Sequence, residues 1–191
     1  DTFKRYYIDG VLVYQTSEIE YLSETNAGYY DRHEWFDDSG ELHREDGPAY
    51  INQHMDYGGF GWYRHGRLHR DGDEPAFLGD IDGYKCYAWY RDGVLHRDDD
   101  KPAVIGKQIQ EWHRNGVLHR DGDEPAQVRF DRRSNVVETV YYKDGKLHRD
   151  GGLPARVLTR GDNGAVLDET YYGNGEKKSK FSAWLKKRLS S

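Results

Sequence analysis

The sequence predicts an all-β protein: an elongated antiparallel β-meander of hairpin repeats with a short C-terminal helix. Three observations predict it. A unit with a W-x-x-x-G-x-L-H-R-x(4)-P-A core recurs five times, all five prolines hold the same place in that unit, and turn-forming dipeptides fall inside it. Self-similarity at a period of 20–50 residues is the signature of a repeat architecture.

Residues 1–33 read as a degenerate N-terminal capping repeat, in which RYYIDGVLV from Arg5 keeps an aromatic pair and a turn. Residues 34–158 carry the five full units: EWFDDSGELHREDGPAYI from Glu34, GWYRHGRLHRDGDEPAFL from Gly61, AWYRDGVLHRDDDKPAVI from Ala88, EWHRNGVLHRDGDEPAQV from Glu111 and VYYKDGKLHRDGGLPARV from Val140. Their lead aromatics, Trp35, Trp62, Trp89, Trp112 and Tyr141, are 27, 27, 23 and 29 residues apart. Residues 159–191 supply a degenerate final hairpin, TYYGNGEKK from Thr170, and a cationic amphipathic helix with Phe181, Trp184, Leu185 and Leu189 at helical spacing. Degenerate ends are expected, because a terminal repeat must cap the stack.

Within a unit, Asp92-Gly93, Asn115-Gly116 and Asp144-Gly145 are the preferred pairs for a two-residue type I′ turn. Counting outward from Asp92-Gly93 pairs Arg91 with Val94, Tyr90 with Leu95 and Trp89 with His96. Cross-strand partners share a face, so Trp89 and His96 point one way and Tyr90 and Leu95 the other. The first unit has one extra residue between Trp35 and His43. A three-residue turn, Asp38-Ser39-Gly40 with Gly40 left-handed, absorbs it and keeps Trp35 opposite His43. Each acidic corner ends in Pro-Ala; proline cannot donate to a ladder, so it belongs at the start of the following strand, as in Pro102-Ala103-Val104-Ile105. Variation in period then falls in one connector, short at Gly106-Lys107 and longer at residues 131–135.

Composition bounds the core. Hydrophobic residues make up 36% of 191 and mean hydropathy is -1.04, while 16 Tyr and 5 Trp stand against one Met. Large flat side chains must therefore supply most of the burial, as suits a thin sheet. The single cysteine, Cys86, excludes an internal disulfide framework and fits a reducing compartment; it is expected to be a buried structural residue. From Asp1 onward the sequence holds no apolar run resembling a signal segment and none long enough to span a bilayer, so a cytoplasmic protein is expected. The formal charge of -6 is uneven: residues 176–191 carry six cations against Glu176, leaving -11 on the remainder. An acidic body repels duplex phosphate and argues against nucleic acid as a partner.

The aromatic pair, the Asp-Gly or Asn-Gly turn and the following Leu-His-Arg, acidic corner and Pro-Ala resemble the MORN-variant repeat. The resemblance covers residues 34–157 and extends to antitoxin-like components of bacterial toxin–antitoxin modules and to uncharacterised phage, bacterial and giant-virus repeat proteins. It implies an elongated antiparallel sheet used as an interaction surface, with proteins as the usual partners and phospholipids as occasional ones. The His-Arg pair and the Pro-Ala step are additions to the common MORN wording.

Histidine is the obvious candidate for chemistry. However, His43, His69, His96, His119 and His148 recur in five equivalent settings, whereas a catalytic residue is needed once; they are expected to form a structural ladder. Successive ladder positions, roughly 10 Å or more apart, are too distant for two of these imidazoles to share one zinc. The His-Arg-Asp strings resemble a kinase catalytic loop but lack its accompanying motifs. Arg44, Arg70, Arg97, Arg120 and Arg149 each stand beside an acid and are expected to hold the acidic corners through charge pairs and carbonyl contacts, or to form an anion-binding column. The corners themselves lack calcium-loop spacing.

No catalytic residue, metal site or cofactor is expected, and the function expected is a non-enzymatic protein-binding module of antitoxin or immunity type, or a phage-encoded inhibitor acting in the host cytoplasm. Partner-binding candidates are Trp62, Trp89, Trp112, Tyr141, Arg70, Arg97, Arg120 and Arg149, since Trp, Tyr and Arg dominate interface energetics. The alternative is ligand binding, either of a phosphorylated nucleotide or other small anion by the arginines, or of a glycan or choline-type group in aromatic cages.

Overall fold

The computed structural model describes residues 2–8, 10–23, 26–53, 58–81 and 83–180. The principal sheet is an antiparallel meander of 14 strands, each next to its neighbours in chain order. Two compact units are distinguished, Asp1–Val94 and Leu95–Ser191.

In the first unit, three long strands, Thr2–Ile8, Val11–Ser23 and Asn26–Trp35, pair in succession. Register sets Tyr6 opposite Tyr14 and Tyr14 opposite Trp35. The three rings consequently share a face, with centroids 5.3 and 5.1 Å apart. Shorter strands follow at Tyr50–Asn52, Gly59–Gly61, Phe77–Ile81 and Tyr84–Ala88. In the second unit the same run is Val104–Gly106, Ile109–Glu111, Gln127–Asp131, Val136–Val140, Arg156–Arg160, Val166–Gly173 and Glu176–Lys178.

The repeats differ from a plain meander in one respect. In the second to fifth repeats the hairpin tip is a separate two-stranded sheet, as in Tyr63–Arg64 with Arg67–Leu68, His113–Arg114 with Val117–Leu118 and Tyr142–Lys143 with Lys146–Leu147. The lead aromatic is where the chain changes partner. Trp62 N–H donates to Ala76 O at 2.8 Å, whereas Trp62 O accepts from His69 N–H at 2.9 Å. Trp112 and Tyr141 repeat this with Ala126 and His119, and with Ala155 and His148. One residue thus satisfies both backbone groups on two different sheets, which turns the tip without orphaning a donor.

The expected tip register holds: Tyr63 faces Leu68, His113 faces Leu118 and Tyr142 faces Leu147. Both turn residues have positive φ, 49° and 87° at Asp92-Gly93, 50° and 84° at Asn115-Gly116, 49° and 74° at Asp144-Gly145, as a type I′ turn demands. In the first unit Gly40 lies at φ 77°, Phe36 pairs with Leu42, and His43 N–H reaches Trp35 O at 2.9 Å, so the three-residue turn preserves the pairing.

The core is a narrow strip rather than a thick interior. The alanine of every Pro-Ala step, Ala49, Ala76, Ala103, Ala126 and Ala155, is 0% exposed, and Cys86, Val104, Ile109, Trp112 and Val140 are buried as well.

At the C-terminus, Lys177 and Lys178 lie on the strand Glu176–Lys178. They complete a hairpin, Lys178 opposite Tyr171 and Lys177 opposite Tyr172, because Asn174-Gly175 makes another turn with φ of 53° and 85°. The expected helix over Phe181, Trp184, Leu185 and Leu189 lies outside the described residues.

Candidate functional site

The recurring His-Arg-acid segment sits beneath the tip of the next hairpin, and its contacts repeat. The turn glycine N–H donates to the leucine carbonyl of the preceding repeat: Gly66 to Leu42, Gly93 to Leu68, Gly116 to Leu95, Gly145 to Leu118 and Gly175 to Leu147, each at 2.9 Å. The residue before that glycine donates its N–H to the ladder histidine's Nδ1. The pairs are His65 to His43 at 3.2 Å, Asp92 to His69 at 3.1 Å, Asn115 to His96 at 3.2 Å, Asp144 to His119 at 3.0 Å and Asn174 to His148 at 3.1 Å. The five histidines form the expected ladder, and its content is the docking of one turn on another repeat.

The opposite ring nitrogen is used in four of the five. Nε2 of His69, His96, His119 and His148 lies 2.9–3.0 Å from Asp71, Asp98, Asp121 and Asp150. An Nδ1 that accepts a backbone N–H must be unprotonated, so the ring common to the ladder is the Nε2–H tautomer donating to the aspartate. At His69 and His119, Nδ1 also lies 2.9 Å from the Asp92 and Asp144 carboxylates. That contact favours a protonated ring, but it occurs in two repeats only, whereas the backbone contact occurs in all five.

The aspartates in turn are held ionised. Asp71 is lowered below the usual carboxylate value, first by the His69 hydrogen bond and then by Arg64. Asp121 is lowered first by Arg114 and then by His119, and Asp150 first by His148. Glu111, half-buried, is pushed up by burial, but hydrogen bonds from His113, Gln127 and Arg129 outweigh that and bring it below the ordinary value.

The arginines lie over the lead aromatics. Arg44 covers Trp35 at 4.2 Å from the ring centroid, Arg70 covers Trp62 at 4.1 Å, Arg120 covers Trp112 at 4.1 Å and Arg149 covers Tyr141 at 3.9 Å. Arg70, Arg97 and Arg120 also donate to the Pro75, Pro102 and Pro125 carbonyls at 3.2, 3.2 and 3.4 Å. Carbonyl contacts were expected; the carboxylate partners are not the sequence neighbours. Arg120 grips Asp100 with Nε and Nη2, and Arg149 grips Asp123 in the same way, each from the preceding repeat. Trp112 adds an Nε1–H bond to Asp100 O at 2.9 Å.

Of the partner-binding candidates, Trp112 is buried at 8% exposure, while Trp62, Trp89 and Tyr141 are half-buried. Arg120 and Arg149 are committed to neighbouring repeats, and Arg70 and Arg97 to their own Pro-Ala steps.

Clefts open between successive tips. The first, about 630 Å³, is lined by His43, Arg44, Asp46, Trp62, His65 and Arg70 among others. Its counterpart between the fourth and fifth repeats, about 190 Å³, is lined by His119, Arg120, Asp123, Tyr141, His148 and Arg149. The first is wider because the bridging arginine is missing. Arg44 pairs with Asp46 of its own corner at 2.7 Å, and Arg70 reaches Glu74 at 3.8 Å, whereas Arg149 spans the later cleft to Asp123. The first corner, Glu45-Asp46-Gly47, is one residue shorter than the others. That shortening brings Asp46 within reach of Arg44.

Two unique groupings escaped the sequence. On the N-terminal strands, Tyr14 OH bonds His33 Nδ1 at 2.6 Å and His33 Nε2 bonds Asp31 at 2.6 Å, in a chain flanked by the Tyr6 and Trp35 rings. At the first cleft, Asp37, His43 and His65 place one donor atom each within 4.8 Å of the other two. The sequence signal for the second was His65 itself, standing where the third, fourth and fifth repeats carry Asp or Asn. Among the described residues, no helix is long and apolar enough to cross a membrane. Compared with known proteins, the chain matches no family model and no curated protein.

Proposed function

We propose that this chain is a non-enzymatic protein-binding repeat module, acting in the antitoxin or immunity sense or as a phage-encoded inhibitor in a cytoplasmic setting. The observation that carries the proposal is the recurrence of a cleft with an equivalent lining between successive tips in each of the two units. A surface that repeats its chemistry along the chain offers extended complementarity to a macromolecule. The MORN-variant resemblance supports the same class. Within the first unit exposed Val94 and the Arg64 guanidinium, and within the second exposed Val117 and the Arg114 guanidinium, supply apolar and charged groups at the tips.

The ligand-binding alternatives have less support. The faces of Trp62, Trp112 and Tyr141 on which a quaternary ammonium would sit already carry the chain's own guanidinium groups. In the widest cleft, Arg44, Arg64 and Arg70 are balanced by Glu45, Asp46 and Asp71, so a phosphorylated nucleotide gains little net attraction.

Affinity capture with the intact chain tests the proposal. Charge reversal at Arg64 and Arg114, with folding verified by circular dichroism, should reduce capture of the partner at least tenfold. Retention of a partner by a chain carrying both reversals and V94D/V117D would exclude the tips as the binding surface.

A further inference from the structure

We propose that Asp37, His43 and His65 bind one first-row divalent transition-metal ion, with zinc as the probe of choice. The argument begins where the repeat breaks. In four repeats, Nε2 of the ladder histidine is occupied by an aspartate two residues on. At His43 that position is Glu45, and among the described residues no hydrogen bond reaches His43 Nε2. Its Nδ1 still accepts the His65 N–H at 3.2 Å, so without metal Nε2 carries the ring proton; ligation through Nε2 moves that proton to Nδ1 and gives up the His65 N–H contact.

A second imidazole is brought against the first. His65 occupies the turn position that the third, fourth and fifth repeats give to Asp or Asn, at φ 45°, a conformation costly for a bulky side chain and often retained where function over-determines it. Its ring stacks on His43 with centroids 4.4 Å apart, and its Nδ1 lies 2.7 Å from Asp37 Oδ2. Asp37 is preset: Oδ1 accepts the Ser39 and Glu41 N–H groups at 2.9 and 3.0 Å, which leaves Oδ2 to face the imidazoles. The His65 hydrogen bond also lowers the Asp37 carboxyl below its usual value, keeping it in the ligating form.

Two imidazoles and one carboxylate suit zinc, copper, cobalt or nickel rather than calcium or magnesium. Tetrahedral zinc wants donor atoms about 3.3 Å apart, so the present spacing of up to 4.8 Å must close. His65 can supply that movement, because its side chain is 66% exposed. Binding exchanges the His65–Asp37 hydrogen bond and the long His65 N–H contact to His43 for metal bonds, each neutral ring keeping its one proton on the nitrogen that does not ligate. The remaining coordination position faces the 630 Å³ cleft, where water can complete the shell.

Titration of the full chain with Zn²⁺ by calorimetry at neutral pH should show one site. H65N, which installs the residue that the turns at 115 and 174 carry and keeps the N–H to His43, should weaken it at least tenfold, and D37N should do the same. Histidine-detected NMR of the unsubstituted chain reads the ligands without any variant: the His43 and His65 imidazole signals should shift together and saturate at one equivalent. Absence of binding, binding that a folded H65N leaves unchanged, or shifts confined to other histidines would each overturn the proposal.

Discussion

The guanidinium of Arg149 reaches back 26 residues to Asp123, with Nε and Nη2 donating at 2.6 and 2.9 Å, and leaves the adjacent Asp150 to His148. The hydrogen bond from Arg149 lowers Asp123 below its ordinary 3.8. A depressed carboxylate contributes stability above its unfolded value and loses it as pH falls through the folded one. The Tm difference between the wild type and R149Q should therefore be full at pH 5 and shrink only below about pH 4. A difference that stays constant down to pH 2 would show that the pair is not what R149Q removes.

His119 is the most buried member of the ladder, at 6% exposure, and is bonded at both nitrogens. Replacement by Phe keeps the ring but strands the Asp144 N–H, at a cost of about 1–3 kcal/mol. Urea unfolding measures it, and a loss no greater than that for an exposed control would show that water replaces the imidazole at no cost.

Trp112 joins three elements: its ring lies under Arg120, its Nε1–H bonds Asp100 O, and its backbone links two sheets. Trp112→Ala should cost about 3–5 kcal/mol. If unfolding instead shows a loss below about 1 kcal/mol, the ring contributes no burial and returns to the pool of binding residues.

Ala126 is fully buried at the crossing beneath Trp112. Ala126→Leu should destabilise by about 1–3 kcal/mol through overpacking, whereas a substitution at exposed Gly122 to Asn, which tolerates its φ of 74°, should change the midpoint little. Similar midpoints for both variants would show that the strip is loosely packed.

Much of this was legible from the residues. Asp92-Gly93 and its equivalents fix the tip register because only a type I′ turn suits them, and the extra residue before Gly40 announces its own bulge. The histidine ladder follows from recurrence. The carboxylate partners of Arg120 and Arg149 do not, since sequence adjacency favours Asp121 and Asp150 while stacking brings Asp100 and Asp123 closer. Nor does the partner switch at Trp62, Trp112 and Tyr141, which depends on where the following alanine strand passes. His65 was hidden by its place in a turn, where the local pattern suggests only a tolerated substitution.

The docking of a turn through one glycine amide and one neighbouring amide, onto a leucine carbonyl and a histidine nitrogen, gives the second to fifth repeats each a socket on one side and a plug on the other. Genetic duplication or loss of a whole repeat would join the same plug to the same socket. Chain length is therefore free to drift in evolution by unequal recombination, with no new interface to invent, while the joint between the first and second repeats, whose plug carries His65, cannot be exchanged without altering its chemistry.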